Sequence, residues 1–84
     1  MVNHDASNHK FTIDNPEGVS WLEYAEDDQF VTVLHTVVPS ALSGRGLAGQ
    51  LAAAAWDYTQ KQHKEIRSEC SYMTAWLKRH SISQ

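Results

Sequence analysis

The chain has 84 residues with a single cysteine, two prolines and no long apolar run, and these shortages narrow what it can be. A lone thiol, Cys70, cannot form an internal disulfide, which fits a reducing compartment. The longest uncharged apolar run is far too short to span a bilayer. The N-terminus has no basic segment followed by an apolar one, so no secretory signal is visible. We therefore expect a soluble, cytoplasmic protein that has no membrane partner.

Basic residues are also scarce. Seven lysines and arginines against ten acidic residues give a formal charge of −3, and the basic residues form no cluster. A nucleic-acid partner is not expected, because a phosphate backbone requires a basic face. His4, His9 and His63 do not have metal-ligand spacing with one another or with Cys70, so we expect no metal site.

The apolar fraction of 42% is enough for one small folded domain. Residues 1–9 are polar and aperiodic and are expected to form a flexible tail, with a single domain over 10–84. Apolar periodicity predicts strands and helices in the order β-β-β-α-β-α, which indicates a mixed α/β sheet. The predicted strands lie around 10–14, 19–25, 30–38 and 65–70, and the predicted helices lie at about 46–62 and 72–80.

The third strand, Phe30–Val38, has apolar residues on both faces, which predicts a central strand covered on both sides. It runs parallel to the fourth strand, and the long helix forms a right-handed crossover between them. The acidic residues Glu26–Asp28 are interpreted as a solvated hairpin turn, and Ser71 is expected to cap the last helix.

The most informative segment is Ser43–Gly49, which lies between that third strand and the Ala-rich helix. Strand, glycine loop and helix in this order place bare backbone N–H groups at a helix N-terminus, where partial positive charge suits an anion such as a phosphate. The glycines let the backbone approach a ligand closely. The alternative is a tight strand–helix connection that binds nothing.

This loop resembles the coenzyme A site of the GNAT N-acetyltransferase superfamily, whose motif reads Gln/Arg-x-x-Gly-x-Gly/Ala. Gly46 and Ala48 match the motif, whereas Ser43 stands where Gln or Arg is usual. The chain is most similar to a branch of short GNAT-like proteins, over about residues 11–80. Besides the loop, the elements that carry this similarity are His35–Pro39, Cys70–Tyr72 and Ala75–His80.

The resemblance implies a truncated GNAT fold that binds acetyl-CoA between two parallel strands splayed at their C-terminal ends. Main chain at the end of the third strand would hold pantetheine, and the loop amides would hold the pyrophosphate. Arg45 would supply the charge that Ser43 lacks. The implied cofactor-binding residues are Thr36, Val37, Val38, Ser43, Gly44, Arg45, Gly46, Leu47, Ala48, Gly49 and Tyr72.

Two side chains near those strand ends are candidate catalytic residues for acetyl transfer to an amine. Histidine titrates near neutral pH, so His35 could act as general base for direct attack on acetyl-CoA. Alternatively Cys70 could accept the acetyl group as a thioester; the following helix N-terminus favours its thiolate and Glu69 opposes it. Structural interpretations of both residues stay open: an inward histidine with a satisfied hydrogen bond, and a small buried cysteine.

The resemblance leaves the acceptor amine undefined; it could be a small molecule or a protein side chain. Two other functions remain possible: a non-catalytic sensor of CoA or acyl-CoA, and an interaction module with an empty loop. An exposed sheet edge on so small a domain allows either a monomer or a weak homodimer.

Overall fold

Alternating apolar residues build one mixed sheet. The computed structural model describes residues 1–82. Its strands are β1 (Asn3–Asp5), β2 (Lys10–Asn15), β3 (Gly18–Glu26), β4 (Phe30–Val37) and β5 (Glu65–Ser68). The strands lie in the order β1-β2-β3-β4-β5. The first four are antiparallel, and β5 pairs parallel to β4. The predicted mixed α/β fold is confirmed.

Two helices complete the domain. Helix α1 (Leu47–Lys61) connects β4 to β5, and helix α2 (Ser71–Arg79) follows β5, each within one or two residues of its predicted bounds. Short 3-10 turns lie at Ala6–Asn8 and Ser40–Leu42. Helices and sheet share one hydrophobic core, which includes Leu51 and Ala55 of α1, Met73 and Leu77 of α2, and Phe11, Leu22, Val31 and Val33 of the sheet. Within residues 1–82, neither helix is long and apolar enough to cross a bilayer.

Residues 1–9 differ from the flexible tail that the sequence predicts. Asn3–Asp5 pairs with β2, so that Asn3 faces Thr12 and His4 faces Phe11. The strand order therefore has one more β-strand at its start than predicted. The sequence does not predict this strand because its three polar residues show no apolar alternation. The strand is held by main-chain pairing and by the His4 ring, which stacks on Phe11 with 4.3 Å between the ring centroids.

A β-bulge lies in β4. Glu23 of β3 faces His35, but the next residue, Tyr24, faces Val33, so Leu34 is an extra residue in β4. An extra residue reverses which face the following side chains point to. The alternation that buries Val31 and Val33 would, if continued, place His35 on the face of the sheet that the helices cover. Because of the bulge, Thr36 lies on the helix-covered face and His35 lies on the opposite face.

In the described residues 1–82, the helices cover one face of the sheet and leave the other uncovered, which corrects the prediction that the third strand is covered on both faces. Val31 and Val33 are fully buried beneath the helices. Phe30, Thr32 and Leu34 point to the other face and remain partly exposed. Both helices belong to one core on one side, so this second face is left open. Its two large rings are partly covered by cations instead: Lys10 lies over Trp21 and Arg67 lies over Phe30.

Three further predictions are wrong in detail. The fourth predicted strand ends at Ser68 rather than at Cys70. Cys70, not Ser71, occupies the N-cap position of α2, and among the described residues no side chain caps the N-terminus of that helix. Glu26 is not part of a solvated turn, because its carboxylate is 2.6 Å from Lys64 Nζ and only 16% of its side chain is exposed.

Candidate cofactor and acyl-transfer site

The glycine loop takes a conformation that needs glycine at two positions. Gly44 has φ 82° and Gly46 has φ 75°, which is the left-handed region where other residues are strained. A Cβ at either position would meet no atom within 4 Å. Backbone conformation, and not lack of space, therefore explains these glycines, and the loop faces open solvent.

The first turn of α1 presents free donors. Gly46 is the N-cap residue, and no side chain caps the helix. The first backbone bond of the helix runs from Gln50 N–H to the Gly46 carbonyl at 3.1 Å. In the part of the chain that the structure describes, the N–H groups of Leu47, Ala48 and Gly49 donate to no protein acceptor. No acidic residue lies in this turn, so the positive end of the helix is not neutralised.

A cavity of about 280 Å³ lies against these donors. It is bounded by the end of β4, the loop, the first turn of α1 and the start of α2. The lining residues are Val38, Leu42, Ser43, Gly44, Gly46, Leu47, Ala48, Gly49 and Tyr72. Backbone donors and mainly apolar walls suit a ligand with an anionic group and a less polar arm.

Most of the residues that the resemblance implied for cofactor binding line this cavity, and three do not. Thr36 and Val37 lie on β4 before the cavity begins. Arg45 lies in the loop but its guanidinium points elsewhere: Nη2 is 3.4 Å from Glu17 Oε2, and half of the Arg45 side chain is exposed. Leu42, which the sequence analysis did not include, is a fully buried wall.

The two parallel strands part beside this cavity. Their pairing ends at Val33 and Ser68, and the last bond between them runs from Glu69 N–H to the Val33 carbonyl at 2.8 Å. Beyond that point β4 continues to Val37, paired only with β3. Its main-chain groups on the β5 side therefore border an opening in the sheet.

Cys70 lies at this opening and is half-buried. Its Sγ is 3.5 Å from Thr36 Oγ1. Its backbone is held by Ser68, whose Oγ accepts from Cys70 N–H at 3.2 Å and donates to the Cys70 carbonyl at 2.8 Å. Thr74 donates to the same Ser68 oxygen at 3.0 Å. Hydroxyl groups from three elements thus fix the cysteine, and no spacing rule in the sequence links them.

His35 is exposed and lies away from Cys70. It faces Glu23 across the sheet, on the open face. Its neighbour Thr36 contacts Cys70, and successive strand residues point to opposite faces. The two predicted catalytic side chains therefore lie on opposite faces of β4, so they could serve two separate mechanisms and do not form a pair. The inward interpretation of His35 is wrong because of the bulge at Leu34.

Comparison with known proteins gives the decisive observation. The sequence model of one family, described as GCN5-related N-acetyl-transferase, matches residues 10–83. The chain belongs to the GCN5-related N-acetyltransferase family. The matched range includes the glycine loop, the cavity and Cys70.

Two longer relatives extend this result. The chain is 31% identical to the protein NATD1 of Gallus gallus over an aligned region of 88 residues, and this alignment covers all of this chain and 79% of the relative. It is also 31% identical to the protein NATD1 of Homo sapiens over 87 residues, which cover 99% of this chain and 76% of the relative. The similarity therefore spans the whole domain.

Proposed function

We propose that this protein is an acetyltransferase that binds acetyl-CoA and transfers its acetyl group to an amine acceptor. The single observation that carries the proposal is the cavity where the loop amides, the first turn of α1 and Tyr72 meet beside the parted strands. Family membership supports the same conclusion.

The residues present fit the cofactor. Three free N–H groups at an uncapped helix N-terminus suit a diphosphate, and left-handed Gly44 and Gly46 keep side chains away from it. The unpaired edge of β4 after Val33 offers main-chain groups to the amides of a pantetheine arm. When bound, acetyl-CoA supplies an acetyl group that is already activated as a thioester.

In the first route, His35 prepares the amine. An ammonium group must lose a proton before its nitrogen can attack a carbonyl carbon. The exposed imidazole of His35 takes that proton, directly or through water. The amine nitrogen then forms the new C–N bond and gives up its second proton, the C–S bond breaks, and the thiolate of CoA leaves and takes up that proton through solvent.

In the second route, Cys70 acts as nucleophile. Its thiolate attacks the acetyl carbonyl, a new C–S bond forms on Cys70, and the C–S bond to CoA breaks. The amine nitrogen of the acceptor then forms a C–N bond to the acetyl carbon and releases a proton to solvent, and the C–S bond to Cys70 breaks to regenerate the thiolate. The position of Cys70 at the opening, half-buried and fixed by Ser68, supports this route.

The open face of the sheet supports a bulky acceptor, such as an amine on a protein side chain. Within residues 1–82, no helix covers the side of β4 on which His35 lies, and Glu23 faces His35 there. A carboxylate beside the entry of an ammonium group is electrostatically favourable.

Titration with CoA tests the binding step. We expect measurable heat by calorimetry and NMR shift changes in the amides of residues 44–49. Leu51, fully buried in the same helix, provides an amide that should move little. If saturating CoA leaves the loop resonances and the melting temperature unchanged, the proposal fails.

Mass analysis after incubation with acetyl-CoA tests transfer and separates the routes. A Cys70→Ser variant that binds CoA normally but loses transfer supports the covalent route. A Cys70→Ser variant that keeps full transfer, together with a His35→Ala variant that loses it, supports the first route and excludes the covalent one. CoA binding without any acetylated cysteine or acceptor amine would indicate a sensor and would contradict the proposed activity.

A further inference from the structure

We propose that Thr36 is a positioning residue for the Cys70 sulfur, and that its hydroxyl supports the thiolate at the opening between β4 and β5. The inference rests on the proposed function in one respect, since only the second route gives the thiolate a chemical task. It concerns the side chain of Thr36, whereas the family resemblance implied only a main-chain contact there.

The contact itself is the first support. Cys70 Sγ lies 3.5 Å from Thr36 Oγ1, and in the thiol form the S–H donates to that oxygen. A threonine hydroxyl can rotate and act as donor instead. Once the S–H proton has passed to water or buffer, the Thr36 hydroxyl donates to the negative sulfur, and a hydrogen bond to a charged partner is stronger than one between neutral groups.

The β4 bulge is the second support, because it decides which side chain meets the sulfur. Thr36 faces buried Leu22 on β3 and lies on the helix side of the sheet. Without the extra residue Leu34, the alternation that buries Val33 would place His35 on that side and Thr36 on the open face. The bulge thus brings a small hydroxyl, rather than an imidazole, to Cys70.

The other hydrogen bonds around Cys70 hold its backbone and do not involve its sulfur. Ser68 bonds to the backbone of Cys70, and Thr74 bonds to Ser68. Within residues 1–82, Thr36 is the side chain that hydrogen-bonds to the sulfur itself. Glu69 is adjacent to Cys70 in the chain and exposed; its negative charge opposes a thiolate, whereas the Thr36 hydroxyl can donate to one.

Alkylation of the free protein by iodoacetamide, followed by intact mass, tests the inference. We expect Thr36→Val to react about three- to tenfold more slowly than the wild type at neutral pH, which corresponds to the loss of one hydrogen bond. At high pH, where the thiol is ionised in both proteins, the variant should react at least as fast. Thr36→Ser keeps the hydroxyl and should restore most of the neutral-pH rate.

Thr32→Val is the matched control. It makes the same change on the same strand, but Thr32 lies on the open face and has no side-chain hydrogen bond to the sulfur. It should leave the alkylation profile unchanged. The inference is wrong if Thr36→Val reacts like the wild type, if its rate falls equally at every pH, or if Thr36→Ser reacts as slowly as Thr36→Val.

The experiment needs neither acetyl-CoA nor an acceptor, so its result is independent of turnover. If the alkylation profile shifts as expected while no acetyl transfer is found, Thr36 positions the thiol and the proposed activity alone is wrong. Should Thr36→Val fold poorly by melting temperature, Thr36→Ala takes its place, because it also lacks the hydroxyl and should react more slowly than Thr36→Ser at neutral pH; equal rates for these two variants overturn the inference.

Discussion

The hydroxyl of Tyr72 lies 3.5 Å from the point where a Cβ on Gly49 would be. This pair joins α2 to the first turn of α1 across the wall of the candidate cofactor cavity. A separation of 3.5 Å is an ordinary van der Waals contact, so a methyl group fits there without displacing the tyrosine. It would, however, project from the wall that a ligand must approach.

The first prediction is that Gly49→Ala separates stability from binding. Alanine stabilises a helix relative to glycine by up to about 1 kcal/mol, so the melting temperature should rise slightly. The added methyl group lies beside the free N–H donors and should weaken CoA binding several-fold, because close approach of the backbone to a phosphate is lost. Thermal unfolding and calorimetric titration measure the two effects.

Gly46→Ala provides the contrast within the same loop. Gly46 has φ 75°, and a left-handed conformation costs about 1–2 kcal/mol for a residue with a side chain. This variant should therefore lose stability, whereas Gly49→Ala gains it. A Gly49→Ala protein that binds CoA as tightly as the wild type would place the diphosphate away from the first turn of α1.

A second prediction concerns Glu26, which connects the end of β3 to two other elements. Its carboxylate accepts from Tyr58 of α1 and from Lys64, at 2.6 Å each. The side chains of Glu26 and Lys64 are only 16% and 19% exposed. Removing one partner of a mostly buried pair leaves the other charge uncompensated. We expect Glu26→Gln to lower the free energy of unfolding by about 2 kcal/mol in chemical denaturation at neutral pH.

Asp57→Asn is the control for Glu26. Asp57 pairs with Lys61 at 3.0 Å, one turn apart on α1, but both side chains are mostly exposed. Exposed pairs contribute about 0.3–0.5 kcal/mol on a helix surface. If both substitutions destabilise the protein equally, burial of the Glu26 pair does not contribute to its strength.

The third prediction is a loss of stability in acid that depends on Glu26. Burial by itself raises the pKa of Glu26, but the hydrogen bonds from Lys64 and Tyr58 outweigh it and hold the pKa below its ordinary value of 4.5. A carboxyl with a lowered folded-state pKa stabilises the fold above its ordinary pKa. That contribution is lost as the pH falls through the lowered value.

Unfolding measured from pH 7 down to pH 3 checks this linkage. The gap in stability between wild type and Glu26→Gln should narrow steadily below about pH 4.5, as Glu26 becomes protonated in the wild type. Asp5 and Asp27 also have a lowered pKa, because of side-chain hydrogen bonds from Asn8 and backbone hydrogen bonds from Gln29 respectively. Both are retained in the variant, so their effect cancels in the comparison. A gap that stays constant would exclude Glu26 from the acid response.

The sequence could predict the elements whose signal is periodic. Strands with buried Phe11 and Ile13, and a helix with buried Leu47 and Leu51, lie where alternation and helical spacing indicate them. The glycine loop and its place before α1 could also be predicted, because left-handed backbone and free amides are properties of the local sequence. These features depend on near neighbours in the chain.

The side of the sheet on which each catalytic candidate lies could not be predicted. The bulge at Leu34 reverses the faces of His35 and Thr36, and it depends on the register between β3 and β4. Likewise the Glu26–Lys64 pair joins residues 38 positions apart. Such contacts depend on how the strands and helices pack against one another, and local sequence patterns do not specify that packing.

The last prediction concerns the N-terminal strand, where local pattern is weakest. His4 Nε2 and the Tyr24 hydroxyl lie 2.6 Å apart, and the His4 ring packs against Phe11 and Tyr58. The hydrogen bond to Tyr24 and the stacking on Phe11 together contribute about 1–2 kcal/mol. We expect His4→Ala to lower the free energy of unfolding by that amount and to speed amide hydrogen exchange in Asn3–Asp5 and the facing part of β2. Asn3 and His4 are both exposed, but within residues 1–82 the Asn3 side chain makes none of the hydrogen-bond and ring contacts that His4 makes, so Asn3→Ala should have little effect on either measurement. If the two variants behave alike, β1 is held by main-chain pairing alone, and the His4 contacts add nothing to its stability.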